Sequence, residues 1–146
     1  MTEDDGPEYD VDFRANPDQY DIGRGEEGAF KVLPYKDELL PRWSFAEPSD
    51  AEESAAAIYA QFEEYRENGE FVGMDMARKY LQMGYTRSMR YAKYPGGQKY
   101  VDGAERDPKE WADPEKRESA EIFEEYLERV RDDEAYQRAK EAHRDS

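Results

Sequence analysis

The chain has 146 residues, 40% of them charged and 37% apolar, with 37 acids against 21 bases and a formal net charge of −16. That length suits one domain with one core, and the absence of cysteine excludes disulfides, thiolate metal sites and thiol nucleophiles. Evenly spread, the acidity would repel nucleic acid and anionic membranes, while twelve Tyr, six Phe and two Trp point to a core built from rings rather than to wholesale disorder.

The first twelve residues include Glu3, Asp4, Asp5, Glu8, Asp10 and Asp12 and little that is apolar, so residues 1–12 read as a disordered acidic tail. This start is the electrostatic opposite of a signal peptide, and no run approaches the roughly 18 apolar residues of a membrane span. A cytoplasmic protein with no membrane partner is expected. One globular domain is expected over residues 13–136, followed by a frayed polar segment over residues 137–146.

Order begins near Phe13. Asn16-Pro17-Asp18-Gln19 joins a good N-cap to proline at the first helical position, predicting a short helical turn that ends near Tyr20. Glycines at 23, 25 and 28 mark a turn. Ala29-Phe30-Lys31-Val32-Leu33 and Arg42-Trp43-Ser44-Phe45 read as two short strands, a small ribbon linked by a segment from Pro34 to Pro41 that can make a helical turn.

Ser49-Asp50-Ala51-Glu52 forms a capping box, after which Ala55, Ile58, Tyr59, Phe62 and Tyr65 recur at helical spacing until Asn68-Gly69. A second helix is predicted from about Val72 to Gln82 with Met76, Ala77, Tyr80 and Leu81 inward, terminated by Gly84. Thr86 then caps a short third helix that Pro95-Gly96-Gly97 must end. Asp113-Pro114 opens a long fourth helix with Ile122, Phe123, Tyr126, Leu127 and Val130 on one stripe, fraying past Asp132-Asp133. The expected fold class is α+β, mainly α: about four helices with a small N-terminal two-stranded β ribbon.

Gly23-Arg24-Gly25-Glu26-Glu27-Gly28 matches the glycine pattern of dinucleotide-binding loops, but no strand precedes it, a strand-like run follows, and Glu26 and Glu27 would face the phosphates. It reads as a tight turn, and no cofactor is expected. His143, the single histidine, stands in a charged terminal segment, which disfavours Ser–His catalysis and His-ligated zinc. Asp107-Pro108-Lys109 imitates the end of a metal-dependent nuclease motif, a triplet that arises readily by chance in so acidic a chain.

The charge is unevenly distributed. Residues 1–77 carry 21 acids and 6 bases, residues 78–100 carry 6 bases and no acid, and residues 101–146 carry 16 acids and 9 bases. In the central segment Arg78, Lys79, Arg87, Arg90, Lys93 and Lys99 alternate with Tyr80, Tyr85, Tyr91, Tyr94 and Tyr100. Guanidinium forks and ammonium groups suit phosphate, Thr86 can offer a hydroxyl at a helix start, and Tyr85, Tyr91 or Tyr94 can stack on unpaired bases. The residues singled out for phosphate or nucleic-acid contact are therefore Arg78, Lys79, Tyr85, Thr86, Arg87, Arg90, Tyr91, Lys93, Tyr94 and Lys99. Two alternatives stand beside this reading: a protein-docking face, or an internal counter-charge for the acidic helices. A non-enzymatic module is favoured over an enzyme, with nucleic acid, another phosphate-bearing ligand or a protein as partner.

Two readings also compete for the overall acidity. A carboxylate-rich surface with only eight lysines fits a cytoplasm of molar salt, where the Debye length falls to about 3 Å and self-repulsion is screened. An ordinary acidic domain with solvated faces is the other.

The pattern as a whole resembles the family catalogued as domain of unknown function 4385. The resemblance is carried by Asp12-Phe13-Arg14 with Pro17 and Tyr20, by Gly23-Arg24-Gly25-Glu26 through Gly28, and by Pro34-Tyr35-Lys36 with Glu38, Leu40-Pro41 and Trp43. Its most specific part is Phe71-Val72-Gly73-Met74-Asp75-Met76-Ala77-Arg78-Lys79, running on through Gln82-Met83-Gly84-Tyr85-Thr86-Arg87 to Arg90-Tyr91-Ala92 and Gly96-Gly97. Around Glu27, Ala29 and Asp37 this chain is more acidic or smaller than relatives tend to be. The resemblance implies one folded unit that includes residues 13–45 and 71–100, and it supplies no activity.

Overall fold

Hydrophobic spacing decides most of the architecture. In the computed structural model, residues 11–22, 27–94, 100–101, 104–105 and 113–145 are described. Five α-helices form there: α1 (Tyr35–Leu39), α2 (Pro48–Glu67), α3 (Phe71–Lys93), α4 (Pro114–Arg131) and α5 (Glu134–Asp145). Residues 1–10 of the expected acidic tail, the glycine turn at Gly23 and Gly25, the Pro95-Gly96-Gly97 stop, Lys99 and Asp107-Pro108-Lys109 lie outside the described residues.

Helices α2, α3 and α4 make the body, with α3 packing most extensively on α4. The α2–α3 hairpin turns at Asn68, the C-cap, and at Gly69, whose φ of 71° is a left-handed conformation that glycine adopts without a Cβ clash. As the sequence predicts, Ala55, Ile58, Phe62 and Tyr65 of α2 and Met76, Ala77, Tyr80 and Leu81 of α3 are buried. From α4, Phe123, Leu127 and Val130 are buried, while Ile122 and Tyr126 pack partly buried beside them. Asp113 caps α4 by accepting hydrogen bonds from the Glu115 and Lys116 N–H groups at 3.1 and 3.2 Å.

The expected N-terminal β ribbon is not formed, and the fold is helical rather than α+β. Residues 27–45 hold 3-10 turns at Glu27–Phe30 and Leu40–Arg42 on either side of α1. The physical reason lies in which side chains turn inward: Ala29, Val32, Tyr35 and Leu39 are buried, a spacing of three to four residues that a strand, with its period of two, cannot bury on one face. The Tyr80 hydroxyl donates to the Ala29 carbonyl at 2.8 Å and pins this turn to α3. An antiparallel pairing of Tyr100–Val101 with Ala104–Glu105 is too short to form a sheet layer. The Asn16-Pro17 turn is present as a 3-10 turn at Pro17–Gln19.

Two helix boundaries also differ from expectation. The predicted second and third helices are one continuous helix, α3, because Gly84 does not terminate it: a Cβ there would lie 2.5 Å from Phe123 ring carbons, so the glycine admits the ring of α4. Thr86 consequently lies within α3, and its hydroxyl donates to the Met83 carbonyl instead of capping a helix. Helix α2 begins at Pro48, one residue before the proposed capping box, with Glu47 as an N-cap that makes no side-chain bond. Beyond Asp132 and Asp133, where fraying is expected, the chain turns and forms α5.

Candidate functional site

The central cations divide into two environments along α3. Arg78 and Lys79 point inward, near the N-terminal half of the helix. Lys79 is buried, and that burial lowers its pKa. Arg78 donates through Nη2 and Nε to Asp75 Oδ1 at 2.8 and 3.2 Å and through Nη1 to Gln82 Oε1 at 2.9 Å.

Asp75 is wholly buried. It also accepts from the Tyr20 hydroxyl and, at 2.6 Å, from the Tyr136 hydroxyl. Burial alone would raise its pKa, but the Arg78 charge and the hydrogen bonds from Tyr136, Tyr20 and Arg78 outweigh that and hold the carboxyl below its usual range. Burial and the Asp75 charge push both phenols far above theirs. The network thus keeps Asp75 charged and the tyrosines protonated through neutral pH. It ties the N-terminal segment, α3 and α5 together, and no member is poised to exchange protons near neutrality.

A second acid–tyrosine cluster joins the N-terminal segment to α1, α2 and the N-cap of α3. Arg14 bridges Glu38 and Glu70 at 2.9 and 2.6 Å, while the Tyr65 hydroxyl donates to Glu38 at 2.6 Å and the Tyr35 hydroxyl to Glu70 at 2.8 Å. Each acid is already paired by an arginine and a phenol. Among the described residues, no group of three or more His, Asp or Glu is placed to hold a metal ion.

The C-terminal half of α3 differs. Arg87 is half-buried, its guanidinium 5.1 Å from the Trp43 ring centroid and 5.9 Å from that of Phe30. Its charge rests on aromatic faces. Tyr85 packs against the core, so it is not a free stacking platform. Arg90 is exposed, Tyr91 is 39% exposed, and Lys93 and Tyr94 are half-buried beside them. From α4, the Lys116 ammonium lies 5.6 Å from the Tyr91 ring centroid and 5.9 Å from that of Phe45. This cation over a ring was not legible as part of the segment, since Lys116 follows it in sequence and only the α3–α4 pairing brings it there. Because α3 is unbroken, no helix N-terminus stands at Thr86; its C-terminus lies here, where the helix dipole favours Arg90 and Lys93 themselves.

The geometry defines a helical domain with a saturated buried polar network and an aromatic, cationic patch at one helix end. The chain belongs to the family described as Domain of unknown function (DUF4385), whose model matches residues 3–146. Neither a curated protein nor a solved structure matches the chain. No helix of the described residues is long and apolar enough to cross a membrane.

Proposed function

We propose that the end of α3, with Arg90, Tyr91, Lys93 and Tyr94, and with Lys116 from α4, is a contact surface for a phosphate backbone, single-stranded nucleic acid above all. One observation carries this reading. In a chain with 37 acids, neither Arg90 nor Lys93 forms an ion pair among the described residues. Internal charge compensation would place carboxylates against them, as it does for Arg14, Arg66 and Arg78.

Of the residues read from the sequence, Arg78 and Lys79 lie away from this surface, Arg78 on Asp75 and Lys79 buried, while Tyr85 and Arg87 pack behind it against the core and on Trp43 and Phe30. The contacts fall to Arg90, Lys93, Tyr91 and Tyr94, with Thr86 at the margin. A ring partly open to solvent beside two cations suits an unpaired base next to its phosphates. The surrounding acidic field keeps the affinity modest.

Fluorescence anisotropy with a labelled single-stranded oligonucleotide tests this. Wild type should bind with a log–log salt slope of roughly −0.7 per phosphate neutralised. Arg90→Glu/Lys93→Glu should lose binding by at least about tenfold while its circular dichroism is unchanged. Equal binding by the two proteins, or none by either at about 100 μM, a free energy near 5.5 kcal/mol, would reject the reading.

A further inference from the structure

A cleft of about 1000 Å³ opens on the opposite half of α3, between the N-terminal 3-10 turn and α5. Its floor is the buried network, through Arg78, Tyr20 and Tyr136. His143 ties the two walls together: its Nε2 lies 2.5 Å from the Tyr20 carbonyl oxygen, and its ring packs 5.0 Å from that of Phe71. The cleft is thus framed by contacts already made.

Its lining is bipolar. Arg131 at the end of α4 and Lys140 and Arg144, one turn apart on α5, stand on one side, and Asp18 and Asp21 of the N-terminal segment line the other. Among the described residues none of these five side chains forms an ion pair. Arg78 is neutralised by Asp75 and adds hydrogen-bonding capacity rather than net charge. Gln82 and Gln137 also line the space. Gln82 Oε1 accepts from Arg78 and Gln137 Nε2 donates to the Arg131 carbonyl, which leaves one amide nitrogen and one amide oxygen for a ligand.

From this arrangement we infer that the cleft binds a small polyhydroxylated molecule carrying one acidic group, a phosphate ester or a carboxylate. The acidic group takes the guanidinium forks and ammonium of Arg131, Lys140 and Arg144. The hydroxyls donate to Asp18 and Asp21 and complete the bonds of Gln82 and Gln137. A plain polyanion would gain from the three cations but meet two carboxylates, whereas a neutral polyol would leave the cations unused. The volume lies at the upper end for small-molecule sites.

Titration calorimetry with glucose 6-phosphate, gluconate, glucose and inorganic phosphate tests the assignment. At least one acidic polyol should bind, with glucose and inorganic phosphate each weaker by about tenfold or more, a difference of about 1.4 kcal/mol. Binding of the ester alone assigns the acidic group as phosphate, and of gluconate alone as carboxylate. Lys140→Ala/Arg144→Ala, at a half-buried and an exposed position of α5, should abolish that binding at an unchanged unfolding midpoint and leave oligonucleotide binding intact. Absence of heat from both acidic polyols at about 10 mM, inorganic phosphate binding as tightly as the ester, or equal binding by the variant would overturn the inference.

Discussion

Arg78 and Arg90 ride on the same helix and meet opposite surroundings. Arg78 is held by a wholly buried carboxylate, so removing the Asp75 charge leaves a desolvated guanidinium uncompensated. Asp75→Asn should therefore cost about 3–5 kcal/mol of unfolding free energy in urea titrations, whereas Arg90→Ala, at an exposed site, should stay within about 0.5 kcal/mol. The pH dependence follows from the depressed Asp75 pKa: its stabilisation is present above the unfolded carboxylate pKa, about 4, and is lost as pH falls through the lower folded value. The gap between wild type and Asp75→Asn should then narrow in acid. A constant gap would show that the charge is not what Asp75 contributes. Asp75 escaped notice in the sequence because 37 acids conceal one. The available signal was its position between Met74 and Met76, both buried, with Arg78 three residues on.

At the scale of elements, periodicity made α2 and α4 legible because each presents one apolar stripe to the same core. The Asp113-Pro114 start of α4 and the Asn68-Gly69 end of α2 were readable for local reasons, a side-chain cap and a left-handed glycine. Gly84 is ambiguous in sequence, because a glycine at a terminus and a glycine under a ring look alike in one chain. Phe123, which separates the two cases, is distant along the chain. The expected ribbon does not form because short aromatic runs such as Arg42-Trp43-Ser44-Phe45 favour strands only locally, while burial at Ala29, Val32, Tyr35 and Leu39 demands turns. Gly84→Ala should destabilise the protein by about 1–3 kcal/mol through overpacking against Phe123. Gly73→Ala should do the same against Tyr65, whose ring atoms would lie 2.5–2.8 Å from the new Cβ. A thermal midpoint for Gly84→Ala equal to or above wild type would show that the glycine is not needed for the α3–α4 approach.

For the whole molecule, charge is the dominant variable. A net charge of −16 on 146 residues imposes self-repulsion that salt screens. If the acidic surface is suited to molar salt, the unfolding midpoint should rise substantially between about 0.1 M and about 2 M KCl, as the Debye length shrinks from about 10 Å to below 3 Å. A flat or falling midpoint would reject that reading. The same acidity makes an unpaired cationic patch informative, because a carboxylate was available to neutralise it and none among the described residues does. The most direct measurement is a titration of ¹⁵N-labelled protein with a short single-stranded oligonucleotide, followed by amide chemical shifts. Perturbations should concentrate on Arg90, Tyr91, Lys93, Tyr94 and Lys116 and diminish as salt rises. Shifts confined to Arg131, Lys140 and Arg144, or absent throughout, would contradict this expectation.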